Sequence, residues 1–155
     1  DINEIKREFA TTRRITTLAE ALHDADVFLG VSKADTLTPE MLRTMSGNPI
    51  VMALANPDPE IAYDTAMLSR PDIIFATGRS DYPNQVNNVI AFPGIFKGAL
   101  EGHATQITEE MKLAAAEALA ALVSDEELND EFIMPEAFAP RVAEVVSQAV
   151  KSHIK

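Results

Sequence analysis

The 155-residue sequence contains no cysteine. Disulfide frameworks, thiolate nucleophiles and zinc–thiolate sites are excluded, and the absence fits a reducing compartment, so a cytoplasmic location is expected. Basic residues are scarce, 13 Lys and Arg against 24 Asp and Glu, for a net charge of −11 and a pI near 4.6. That balance argues against nucleic acid or an anionic membrane surface as a partner. No apolar segment approaches the ~20 residues of a membrane span. A G-x-G-x-x-G phosphate loop is missing. So are a serine–histidine couple and any metal-ligand spacing among His23, His103 and His153. Tyr63 and Tyr82 have no activating neighbour in the sequence. What remains is a globular composition, 46% hydrophobic, with enough chain for one core of ordinary domain size.

Three short apolar runs, at residues 27–31, 50–55 and 73–76, read as strands, and their near-continuous hydrophobicity predicts burial on both faces. Helix signals separate them. Thr17 with Glu20 forms a capping box whose helix runs through Leu22 and stops near Asp24. Thr38-Pro39-Glu40 starts a second helix, ending near Ser46-Gly47 with Gly47 as its left-handed cap. Residues 61–69 form a weaker, short helix. Strand–helix–strand alternation with such links predicts a parallel sheet in an α/β fold. The last third is helical: residues 88–100, broken or kinked at Pro93; residues 109–123, with Met111, Ala115, Leu119 and Leu122 on one face; and residues 141–154, with Val142, Val145, Val146 and Ala149 as the apolar stripe. Ser124 and Glu127 form another capping box, predicting a short acidic helix. The chain opens at Asp1 within a charged helix-like stretch, residues 2–9, as an entry into mid-domain does, so a piece of a longer polypeptide is expected.

In open parallel sheets, ligands sit beyond the carboxyl ends of the strands. The residues there are Gly30-Val31-Ser32, Asn56-Pro57 and Thr77-Gly78, and a polar loop later brings Asn87-Asn88. Each has a local explanation: Asn-Pro is a common turn start, Gly30 and Gly78 permit tight turns, and Asn87 and Asn88 are suited to capping a helix. Lys33 and Lys97 read as solvated surface or as attractors of anions. The other reading is specific. A carboxylate ligand needs donors that do not titrate, and an Asn amide offers two N–H donors at any pH plus an acceptor for a hydroxyl. Such a site holds a hydroxy acid in orientation without performing the proton transfer.

Two long motifs carry a family resemblance. "ALANPDPEI" (residues 53–61) followed by "ATGRSDYPNQVNNVIAFPGIFKGAL" (residues 76–100) resembles the malic enzymes in their bacterial form. "FLGVSKADTLTPEM" before them and "EEMKLAAAEALA" after them continue the match in order, from about residue 4 to the C-terminus. The resemblance implies oxidative decarboxylation of malate to pyruvate and CO2, with NAD or NADP and Mg2+ or Mn2+. It implies that residues 1–104 are the second half of a Rossmann-like NAD(P)-binding domain and residues 105–155 its C-terminal helical extension. Upstream parts of the same polypeptide, and further copies in a homo-oligomer, are the implied protein partners. Asn56 is implied to lie between malate and the nicotinamide ribose, and Asn88 to hold a malate carboxylate with Asn87 beside it. Gly30, Val31, Ser32, Thr77 and Gly78 are implied to line the dinucleotide crevice. The family's catalytic Tyr and Lys and its metal-binding carboxylates match nothing here. No catalytic or metal residue is therefore assigned, Tyr82 and Lys33 are not substitutes, and the chain alone is expected to be inert. Two other readings stand beside this one: the half-domain of another amino-acid or hydroxy-acid dehydrogenase, and a non-catalytic nucleotide-binding module.

Overall fold

The computed structural model describes residues 4–154, so the start of the charged stretch at residues 2–9 lies outside the described residues; within it, α1 spans Glu4–Arg7. Strands β1 (Val27–Gly30), β2 (Ile50–Ala53) and β3 (Ile74–Thr77) form one parallel sheet in the order β1-β2-β3. Val27 registers with Ile50 and Ile50 with Ile74, so the three carboxyl ends stand level along one edge. Parallel neighbours need a crossover rather than a tight turn. The two crossovers carry the short helices α3 (Pro39–Arg43) and α4 (Tyr63–Ser69).

Local chemistry explains the helix starts. In α2 (Leu18–Leu22) the capping box is complete: Thr17 Oγ1 accepts the Glu20 N–H at 3.2 Å, and the Glu20 carboxylate accepts the Thr17 N–H at 3.2 Å. The chain leaves the helix through Asp24, which takes a φ of 57°. Thr38 caps α3 by accepting the Met41 N–H at 3.3 Å, with Pro39 in the first turn. The left-handed residue beyond α3 is Asn48 (φ 51°) and not Gly47. An Asn tolerates that conformation, and the Asp72 carboxylate fixes it by accepting the Asn48 N–H at 3.0 Å.

One face of the sheet packs Phe28, Val51, Ala53 and Phe75 against Leu22, Leu42, Ile61 and Ala66. The expectation of burial on both faces fails at β1, where Val27 and Leu29 are 53% and 62% exposed. The helices of the crossovers cover only one side, so β1 alternates in burial although its sequence does not. Arg70 fastens this half together. Its guanidinium donates to the carbonyls of Leu42 and Met45, both at 2.8 Å, and to that of Ser46, while Nε donates to Asp72 Oδ1 at 2.9 Å.

Residues 88–154 build a second core. A 3-10 turn (Asn88–Ile90) leads into α5 (Phe92–Glu101), and α6 (Glu109–Ala120) and α7 (Pro140–Lys151) follow. Pro93 does not break a helix: it sits in the first turn of α5, where its missing N–H has no partner to lose. On α7 the buried row is Val142, Val146 and Val150, with Ser147 beside it, whereas Val145 and Ala149 are only half-buried. Positions spaced by four residues form the row that α5 covers. The contact is close because Gly98 has no side chain: a Cβ there would lie 2.6 Å from the Ser147 carbonyl oxygen. Ser124 and Glu127 do bond, Oγ to the carboxylate at 2.8 Å, but they hold a single turn and open no helix. The backbone bonds from Glu127 and Leu128 to the Ser124 carbonyl are not continued, because the chain turns back at Asn129–Phe132.

Candidate functional site

The two cores meet over the carboxyl edge of the sheet. Beyond β3 the chain folds back on itself: the Val86 N–H donates to the Thr77 carbonyl at 2.8 Å. That bond sets Asn87 and Asn88 beside Gly78. Buried Asn84 locks the loop from below. Its amide nitrogen donates to the carbonyls of Phe75 (2.9 Å) and Asp130 (2.7 Å), and its oxygen accepts the Ile133 N–H at 2.8 Å. A cavity of about 570 Å³ results, lined by Val31, Leu54 and Asn56 beyond β1 and β2, by Gly78, Asn87 and Asn88 beyond β3, and by Leu119 and Met134 from the helical half.

Asn56 and Asn88 are thus brought together although 31 intervening residues separate them in sequence. Both are exposed, and among the described residues neither side-chain amide has a hydrogen-bond partner. Asn87 differs. Its oxygen accepts the Val89 N–H at 3.1 Å, capping the 3-10 turn, and its nitrogen donates to the Gly78 carbonyl at 3.2 Å. The capping role weighed for the pair therefore falls to Asn87, leaving the Asn88 amide free. The Asn56–Pro57 bond is cis.

Of the residues implied to line a dinucleotide crevice, Val31 and Gly78 face this cavity, and Gly30, Ser32 and Thr77 do not line it. Thr77 borders a neighbouring cavity of about 280 Å³ with Asp58, Tyr63, Arg79 and Tyr82; its hydroxyl is buried and has no partner. Gly30 and Ser32 turn to Glu60, a residue that sequence reasoning missed. Glu60 is fully buried; Oε1 accepts the Ser32 N–H at 2.8 Å and the Ser32 hydroxyl at 3.0 Å, and Oε2 accepts the Ala55 N–H at 3.0 Å. Burial pushes this carboxyl up, but the hydrogen bonds it accepts, those from the Ser32 and Ala55 N–H groups foremost, together outweigh it and hold the group below the usual carboxylate value. Gly30 is needed for close approach and not for a turn. No described glycine has positive φ, and a Cβ on Gly30 would sit 2.5 Å from the Glu60 carboxyl carbon. The only signal in the sequence is an acidic residue immediately before apolar Ile61, closing a proline-stiffened loop.

Tyr63, Tyr82 and Lys97 are structurally occupied. Tyr63 and Tyr82 stack at 4.4 Å, and burial, then the nearby Glu131, raises the Tyr63 phenol above its ordinary value, away from use as a base. Lys97 pairs with Glu144 across α5 and α7. Among the described residues no three His, Cys, Asp or Glu side chains converge on a point that holds a metal ion, so a divalent cation does not fit this chain's residues alone.

Level parallel strands, with free amides and a small-residue loop at their carboxyl ends, define the ligand edge of a Rossmann-like dinucleotide domain. The chain belongs to the malic enzymes: residues 2–154 match the family described as "Malic enzyme, NAD binding domain". It is 50% identical over 153 residues to the bifunctional malic/malolactic enzyme of Bacillus subtilis, covering 96% of this chain and 37% of that protein. It is 46% identical to the NADP-dependent malic enzyme of Halomonas elongata, covering 97% of this chain and 39% of that protein. The crystal structure of the NAD-dependent malic enzyme from Thermotoga maritima superposes with a TM-score of 0.86 at 45% identity, over 97% of this chain and 40% of that one. The chain therefore spans about two-fifths of the length of these relatives.

Proposed function

We propose that this chain supplies the malate-carboxylate and nicotinamide-end binding surface of an enzyme that oxidatively decarboxylates malate to pyruvate and CO2. The observation that carries the reading is the pair of unpartnered amides, Asn56 and Asn88, on one cavity. The two amides offer N–H donors to a carboxylate and an oxygen to a hydroxyl without titrating. The cavity's size and its small or apolar walls at Val31, Leu54 and Gly78 fit the flat nicotinamide end of NAD or NADP, which supplies the hydride acceptor when bound. Asn56 orients the substrate against that ring, Asn88 holds a carboxylate, and Asn87 keeps the loop between Gly78 and the 3-10 turn in place. Leu119 and Met134 keep that wall dry. The acid, the base and the ligands of a divalent cation belong to other parts of the complete protein, and this chain's contribution is positioning.

The test is made in the complete protein. Asn88→Ala removes a hydrogen bond to a charged group, worth roughly 1.5–3 kcal/mol, and lowers kcat/KM for malate by about 10- to 150-fold. Asn88→Asp sets a negative charge against the carboxylate and lowers it further. Unchanged kcat/KM in both variants would refute the assignment.

A further inference from the structure

We infer that Glu60 is a positioning residue of this ligand edge, acting through Asn56; the inference rests on the function proposed above. Asn56 sits on a loop that almost nothing holds. Among the described residues, no hydrogen bond reaches residues 56–59. The loop is fixed at its two ends, and Glu60 bonds at both. Its Oε2 takes the N–H of Ala55, the residue directly before Asn56, at 3.0 Å. Its own carbonyl takes the Leu37 N–H at 3.0 Å. The second carboxylate oxygen reaches across the sheet edge to the Ser32 N–H and hydroxyl. Beyond the backbone bond from Leu54 N–H to the Gly30 carbonyl, this one side chain ties together the loops that follow β1 and β2, which carry Val31 and Asn56 into the cavity.

The choice of residue supports a role beyond folding. Glu60 is a fully buried acid, and among the described residues no Lys, Arg or His is in bonding contact with it. A buried charge is a poor source of stability, and an apolar residue of similar size often serves a fold as well or better. What a carboxylate does that an apolar residue cannot is accept several N–H groups at fixed directions. Gly30 leaves the space in which that carboxylate lies.

The experiment is a double-mutant cycle in the complete enzyme, with kinetics and thermal melting on the same samples. Glu60→Gln keeps the volume but turns one acceptor into a donor facing a backbone N–H. It is expected to lower kcat/KM for malate by about 10- to 100-fold, the scale of a ~1 Å misplacement, with the change carried by KM. In an Asn56→Ala background the same substitution is expected to cost less than about threefold, while its shift in melting temperature is the same in both backgrounds. Equal losses in both backgrounds, or no loss from Glu60→Gln alone, overturn the inference. If Glu60→Gln does not fold, Ser32→Ala enters the cycle in its place: it removes one donor to Oε1, and its smaller loss must likewise shrink when Asn56 is Ala, additivity again overturning the inference. An Asn56→Ala enzyme with normal kcat/KM removes the proposed function and the inference together. A damaged Asn56→Ala enzyme with additive losses removes only the inference.

Discussion

The sheet half, residues 27–77, and the helical half, residues 88–154, hold together by opposite means. In the sheet half, side chains reach across gaps. Phe28 and Phe75 fill the core, Arg70 donates to three carbonyls, and Glu60 gathers donors from two loops. In the helical half the decisive feature is missing side chains, since α5 lies close against α7 because Gly94 and Gly98 add nothing. Three separated strands with one covered face leave polar main chain that long polar side chains must satisfy. Two helices satisfy their own backbones and need only approach. The amide cavity lies where the two schemes meet, and its walls come from both.

The largest expected effect breaks the helical half. Gly98→Val pushes a branched side chain into the Ser147 carbonyl and Val150, and costs about 3 kcal/mol in urea denaturation, at the upper end of overpacking effects. Hydrogen exchange should show residues 92–151 losing protection first while residues 27–77 keep theirs; simultaneous loss would show that the halves are one cooperative unit. Arg70→Ala is the reverse case. It strips donors from the carbonyls of Leu42, Met45 and Ser46 at once, costs about 2 to 3 kcal/mol, and loosens residues 27–77 first.

Acid sharpens the same point. The Arg70 guanidinium, and then the Asn48 N–H, hold Asp72 down at about 2 from an ordinary 3.8. A carboxylate with a depressed folded-state pKa stabilises above its unfolded value, and that contribution disappears as pH falls from about 4 towards 2. Melting temperature should therefore fall over that window in the unmodified chain, and less steeply in Asp72→Asn. The smallest effect has the other sign. Ser147 is fully buried and its hydroxyl has no partner among the described residues, so Ser147→Ala removes an unsatisfied group and should stabilise α7 by about 1 kcal/mol or less. A drop in stability would mean that the hydroxyl has a partner in solution.

Much of the fold was legible because its signals are local. Thr17 with Glu20, and Thr38 with Pro39, act within one helical turn of themselves, and the three apolar runs became the three strands. Three of the readings that needed correction share one cause. Burial on both faces at β1, the stripe on α7 and the left-handed residue at Asn48 all depend on what another segment places opposite them. The same holds for the site. Asn56, Asn87 and Asn88 could be picked out as amides at strand mouths, but their division into two free and one committed could not. Arg70, Asn84 and Glu60 went unnoticed because their partners lie up to 28, 49 and 28 residues away, and no spacing rule spans such distances.

By itself the sequence determined the alternation of strand and helix, the caps that start α2 and α3, and the motifs that mark the chain as a member of the malic enzyme family. These follow from propensity, periodicity and hydrogen bonds within a few residues. The tertiary structure decided which amides line the cavity unpartnered, which Asn is used up in capping, and which buried carboxylate joins two loops. The physical reason is that a polar group is free or satisfied only according to what comes within about 3 Å of it, and here those neighbours arrive from distant parts of the chain.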